Sequence, residues 1–131
     1  MLENSPMFPV LPAADIDRAK AWYQEKLGLE PMFEDTDRGM AGYMHAGGMI
    51  LLYMSEFAGT NLATAAGFVS EDFDADVAAM RERGVVFEDL EFPDGTSTVD
   101  GVAEAPDGTG KSAWFQDSEG NILAISTPPQ T

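Results

Sequence analysis

Two stretches of the chain have apolar residues at the spacing that is typical of an α-helix. DIDRAKAWYQEKLGLEPMFE from Asp15 and DFDADVAAMRERGVVFEDLE from Asp72 each open with Asp-x-Asp and run to a glycine. Asp15 and Asp72 are predicted N-caps, because their side chains can accept hydrogen bonds from the free N–H groups of a first turn. Gly28 and Gly84 suit the left-handed backbone that ends a helix. The apolar stripes have three- and four-residue spacing and comprise Ile16, Ala19, Trp22 and Tyr23, then Phe73, Val77, Ala78 and Met80.

Alternating apolar segments predict strands on both sides of each helix. MFPVLPA and LATAAGFVS precede the helices, and LEPMFE and VVFEDLEF follow them. AGYMHAGGMILLYMS and SAWFQDSEGNILAIS are typical of β-hairpins with glycine-containing turns. Each half is therefore predicted as β-α-β-β-β. The expected fold class is α+β, with two tandem modules forming curved mixed sheets around a cleft and the helices outside.

A chain of 131 residues fits one domain. The predicted first module covers residues 1–58 and the second covers residues 59–131. Residues 92–110 are rich in Gly, Pro, Asp and Thr, which indicates a long loop inside the second module, with one short strand near Val102 to Glu104.

The charge balance limits the possible partners. Seven Lys and Arg against 23 Asp and Glu give a net charge of −16, so a nucleic acid is not expected to bind. A cationic ligand would be attracted, although acidity also serves solubility alone. The absence of cysteine excludes disulfides and thiolate catalysis and suits a cytoplasmic protein. With no membrane-length apolar run and no basic-then-apolar start, we expect no membrane association and no secretory signal.

The duplicated unit resembles the vicinal oxygen chelate superfamily, which includes glyoxalase I, extradiol dioxygenases, fosfomycin-resistance enzymes and the bleomycin-resistance proteins. The resemblance lies in PVLPAADIDRAKAWYQEKLGLEP and in FQDSEGNILAIS, which is similar to a family pattern of Asp-Pro-Asp-Gly-Asn followed by a strand. It covers nearly the whole chain.

The resemblance implies four metal-ligand positions, which enzymes of the family fill with His, Glu or Gln. In this chain they fall on Phe8, Leu51, Ala65 and Ala124. None of these side chains offers a donor atom, and metal ions need oxygen, nitrogen or sulfur ligands. We therefore expect no metal and no other cofactor.

Strand alternation predicts which side chains line the cleft. The candidate ligand-binding residues are Phe8, Tyr43, His45, Met49, Tyr53, Trp114 and Gln116. The aromatic members could stack on a planar or cationic ligand. Met44 and Met54 are expected to pack in the core. No spacing pairs His45 with an orienting carboxylate, so it is not a predicted catalytic residue.

By resemblance to the bleomycin-resistance proteins, which are dimers that sequester a cationic, aromatic antibiotic between subunits, the leading hypothesis is a metal-independent small-molecule-binding homodimer. One alternative is a glyoxalase- or dioxygenase-type enzyme, either metal-free or with a metal displaced to His45, Glu56 or Glu104. Another is an accessory module that contacts a protein partner.

Overall fold

The computed structural model describes residues 1–129, in which eight strands and two helices follow the repeated order predicted from the sequence. The elements are β1 (Val10–Ala13), α1 (Ile16–Leu27), β2 (Phe33–Asp35), β3 (Met40–His45), β4 (Gly48–Met54), β5 (Thr64–Val69), α2 (Phe73–Glu82), β6 (Val102–Glu104), β7 (Lys111–Gln116) and β8 (Ile122–Ser126).

The strands form two four-stranded sheets with the same topology. The first has the order β1-β4-β3-β2 and the second has the order β5-β8-β7-β6. In each sheet the first strand pairs in parallel with the last strand of its module, and the other neighbours are antiparallel. The α+β class and the duplicated module are confirmed.

The two helix starts differ in their capping. The Asp15 carboxylate accepts a hydrogen bond from the Arg18 backbone N–H at 3.0 Å, as predicted. Asp72 occupies the N-cap position of α2, as predicted, but its side chain does not make the predicted capping hydrogen bond. The Ser70 hydroxyl instead accepts a hydrogen bond from the Asp72 N–H at 3.2 Å and donates one to the Asp76 carboxylate at 2.6 Å.

An insertion interrupts the edge strand of the second sheet. Phe87 bridges Phe115, and the Glu88 N–H donates to the Trp114 carbonyl at 2.8 Å. The same edge then resumes at β6, opposite residues 111–113 of β7. The continuous strand predicted for VVFEDLEF is therefore wrong, whereas the short strand at Val102–Glu104 is confirmed.

The side chain of Asp89 holds together the two ends of the inserted residues 89–101. Asp89 Oδ1 accepts from the Thr98 hydroxyl at 3.0 Å and from the Gly101 N–H at 2.9 Å. The Leu90 N–H donates a hydrogen bond to the Thr98 hydroxyl, and the Thr98 N–H donates one to the Leu90 carbonyl. The insertion is thus a compact loop held at its base, because both of its ends are bonded to Asp89 or its neighbour.

The two sheets share one core. We call the face of each sheet that is turned towards this core its back face, and the opposite face its front face. Tyr23 of α1 packs 5.7 Å from Tyr43 of the first sheet, and Trp22 stacks 6.2 Å from Phe115 of the second. The buried strand residues of this core are Leu11, Ala13, Ala41, Tyr43, Ile50, Leu52, Ala113, Phe115, Leu123 and Ile125. Helix α1 therefore lies against the back faces of both sheets.

The turn between β7 and β8 connects the modules. Asp117 accepts the Tyr23 hydroxyl at 2.8 Å, and the Asn121 amide donates to the Pro12 carbonyl at 2.9 Å. Glu119 accepts from the Asp15 N–H at 2.9 Å and from Arg18 Nε and Nη2 at 2.8 and 3.0 Å. These bonds bring the carboxyl groups of the second module to the start of the first helix.

Glu119 is ionised within this turn. Its side chain is 0% exposed, whereas that of Arg18 is 54% exposed. Burial acts to raise the pKa of Glu119, but hydrogen bonds from Arg18, the Asp15 N–H and Ser118 outweigh it and lower the pKa to about 2. Charge-assisted hydrogen bonds are stronger than neutral ones, which explains the direction.

Glu119→Gln should reduce the free energy of unfolding by about 1–3 kcal/mol at pH 7, because it removes the charge from a buried bonding group. The folded-state pKa is lowered, so this contribution is present above pH 4.5 and is lost as the pH falls towards 2. Urea unfolding at several pH values should show the variant and parent converging across that range. The exposed Glu56→Gln is the control; a constant difference for Glu119→Gln would contradict the account.

Candidate functional site

The four positions implied by the family resemblance lie on or beside the front faces. Leu51 opposes Val10 in the first sheet, and Ala124 opposes Gly67 in the second. Phe8 precedes β1 and is 39% exposed. Ala65 is exposed at a β-bulge, where the register with β8 shifts between Thr64 and Ala66. Each sheet thus carries two of the four positions.

These positions do not fit a metal ion. A benzyl, an isobutyl and two methyl groups have no lone pair with which to replace the water around a cation. Within residues 1–129 no three His, Asp or Glu side chains come together in a group that could hold a metal. The structure therefore does not unite His45, Glu56 and Glu104 as a displaced site.

The front face of the first sheet is aromatic and rich in methionine. Tyr53 pairs with Met40 across β3 and β4 and is 37% exposed. Met49 is half-buried and opposes Met44. Met44 and Met54 are 53% and 58% exposed, so their predicted core packing is wrong.

Tyr43 and His45 lie on the back face, so their predicted place in the cleft is wrong. The β3–β4 turn contains only Ala46 and Gly47, both with positive φ, and sets Tyr43 opposite the buried Ile50. Side chains opposite each other in a sheet share a face, so Tyr43 points into the core. Its hydroxyl has no partner within the described residues, and burial raises its pKa to about 12.

The front face of the second sheet carries a cavity of about 450 Å³. Trp114 opposes Ala124 and Gln116 opposes Ile122, as the alternation predicts. The Phe92 ring lies 5.4 Å from Trp114, at an interplanar angle of 53°. The hydroxyls of Ser112 and Ser126, at 2.8 Å, supply polar atoms beside these rings.

Two aromatic residues of these faces are absent from the sequence-based candidates. Phe33 covers Gly42, where a Cβ would clash with its ring. A glycine inside a strand is a signal for such a close approach, and it was available in the sequence. Phe92 reaches Trp114 because the inserted loop folds over the front face. No local pattern indicates that contact, since it depends on where Asp89 closes the loop.

Within the part of the chain that the structure describes, the two front faces do not enclose a common cleft. His45 and Phe68, on the back faces of different sheets, pack 5.7 Å apart, and α1 fills the adjoining core. Because the back faces converge, the front faces point outwards. Their exposed residues include Phe8, Val10, Tyr53, Val69 and Met44.

The sequence profile of the Glyoxalase/Bleomycin resistance protein/Dioxygenase superfamily matches residues 8–125. The chain belongs to this superfamily. Among curated proteins, none matches it at a significant level. Neither helix within residues 1–129 has the length and apolarity needed to cross a membrane.

Solved structures of superfamily folds align along nearly the whole chain. A lactoylglutathione lyase from Agrobacterium tumefaciens has 16% identity and a TM-score of 0.65, covering 94% of this chain and 93% of its own. A glyoxalase/bleomycin resistance protein from Catenulispora acidiphila has 24% identity and a TM-score of 0.64, covering 94% and 97%. A fosfomycin resistance protein from Listeria monocytogenes has 18% identity and a TM-score of 0.67, covering 98% and 94%. At these identities the likeness shows the fold alone.

Titration calorimetry with Ni²⁺, Zn²⁺, Mn²⁺ and Fe²⁺ should detect no stoichiometric site, because the family positions lack donor atoms. The protein is first dialysed against a chelator, and the chelator is then removed. One-to-one binding abolished by His45→Gln, Glu56→Gln or Glu104→Gln would contradict this expectation. It would instead support an enzyme with a displaced metal.

Proposed function

We propose that this protein is a metal-independent small-molecule-binding protein that sequesters a planar aromatic, cationic ligand. The observation that carries the proposal is the replacement of all four donor positions by Phe8, Leu51, Ala65 and Ala124 on faces that remain aromatic and exposed. A face of this kind retains stacking surface for a ligand but lacks the Lewis acid of the metalloenzymes.

The ligand groove forms between two copies of the chain. Each front face carries half of the family positions, and the two faces of one chain point away from each other. A second copy, related by a two-fold axis, brings the first sheet of one chain opposite the second sheet of the other. The exposed apolar side chains Val10 and Val69, at 48% and 63%, support this assignment because they would be covered in the dimer.

The aromatic pair on the second sheet provides the stacking site. Trp114 and Phe92 border the 450 Å³ cavity, which lies within the size range of small-molecule pockets. A cation over an aromatic ring gains about 0.5–2 kcal/mol. Glu104 also lines the cavity, and the net charge of −16 raises the local concentration of cations. A neutral aromatic ring would gain the stacking alone.

The solved relatives do not extend this proposal to a reaction. One is named a lactoylglutathione lyase and another a fosfomycin resistance protein, and these functions are theirs. Within residues 1–129, this chain offers the front faces stacking groups and hydroxyls rather than a cluster of metal ligands. A cytoplasmic site of action stays a prediction from the sequence.

N-Methylacridinium should bind more tightly than neutral acridine at pH 8, because both present the same ring system and only the former is charged. Trp114→Ala and Tyr53→Ala should each weaken N-methylacridinium binding about tenfold, a loss of about 1.4 kcal/mol. Fluorescence titration gives the dissociation constants, and thermal unfolding checks that both variants fold. The control is Phe57→Ala, an exposed aromatic in the segment after β4. Unchanged binding in both test variants would place the ligand elsewhere.

A further inference from the structure

A second cavity, of about 350 Å³, lies on the opposite side of the sheets from the proposed groove. It opens between the C-terminal ends of α1 and α2 and is bordered by the back-face residue His45. Its walls are mostly apolar and comprise Leu27, Leu29, Phe68, Met80 and Ile125. Its size is sufficient for a small organic molecule.

Among the described residues, two cationic side chains line this cavity, in a chain that has only seven Lys and Arg. Lys26 is at the end of α1 and lies against Gly84, the glycine that follows α2. Arg83 is at the end of α2 and lies against Gly28, the glycine that follows α1. Neither makes an ion pair with an acidic side chain of residues 1–129. By contrast, acidic side chains form ion pairs with Arg18, Lys20, Arg38 and Lys111.

The polar groups that line the cavity include hydrogen-bond donors that an anion could use. Among residues 1–129, the Asp76 carboxylate is the one acidic group in the lining, and it accepts a hydrogen bond from the Ser70 hydroxyl at 2.6 Å. Arg83 Nη1 donates to the Glu25 carbonyl at 3.5 Å, the outer limit of a hydrogen bond, so the guanidinium keeps most of its donors free. His45 Nε2 is buried and has no partner among the described residues. A buried polar atom without a partner is costly, which favours a bound molecule that supplies one.

We propose that this cavity is a second binding site, for a small amphipathic carboxylate with an aromatic or branched apolar body. Lys26 and Arg83 hold the carboxylate at the helix ends, and the apolar walls cover the body. His45 Nε2 hydrogen-bonds a polar atom of the ligand. The site differs from the proposed groove in sign of charge, since the groove selects a cation and this cavity selects an anion.

4-Phenylbutyrate is the probe, and its uncharged analogue 4-phenylbutyramide isolates the effect of the carboxylate. In amide NMR spectra, the acid should shift resonances of His45, Phe68 and Met80, and the analogue should bind about tenfold more weakly or worse. The double variant Lys26→Gln/Arg83→Gln should weaken binding of the acid by a similar factor. His45→Phe, which keeps a planar ring, should weaken it about threefold to tenfold.

Two controls make the outcome specific. Arg38→Gln removes an exposed cation that does not line the cavity and should leave binding within about twofold of the parent. Trp114→Ala should also leave it unchanged, which separates this site from the groove. Equal affinity for acid and amide would overturn the proposal. So would unchanged binding in the double variant, which would mean that the cations serve only the helix dipoles. Shifts confined to the front faces, or none at about 10 mM probe, would overturn it as well.

Discussion

The buried carboxylate of Glu119 joins the second module to the start of α1, beside the core that the two sheets share. It binds the Arg18 guanidinium and the Asp15 backbone, while its neighbours Asp117 and Asn121 bind Tyr23 and Pro12. A buried charge without partners is strongly destabilising, so the bonds at the start of α1 favour this placement of the turn. The DSEGN turn therefore has a structural role in this chain: it fixes the second module against the first helix.

This contact between the two modules has a consequence for function. Because α1 packs against both back faces, the aromatic front faces are directed outwards and remain exposed in a single chain. The two faces that we propose as half-sites therefore do not meet within one molecule. The proposed groove follows from that constraint, since each half needs an opposing face. Under this proposal, the apolar residues at the four family positions supply contact surface rather than ligands for a metal.

The sequence predicted the duplicated fold because both helices have clear periodicity and glycine ends. It did not predict which face of the sheet each β3 side chain points to. The two-residue turn at Ala46 sets the register between β3 and β4, and a shift of one residue moves Tyr43 and His45 to the core. Trp114 was placed on its observed face, but its partner Phe92 was not found. That contact depends on an insertion closed by Asp89, a tertiary effect without a local signature.

Subunit complementation tests the shared groove most directly. Tyr53 lies on the first sheet and Trp114 on the second, so the two single variants damage opposite halves. If the groove spans two copies, exchange of Tyr53→Ala with Trp114→Ala subunits creates heterodimers with one intact groove and one doubly altered groove. Statistical exchange should then restore tight N-methylacridinium binding at about a quarter of the sites. A mixture that binds only as the sum of its two components would contradict the account.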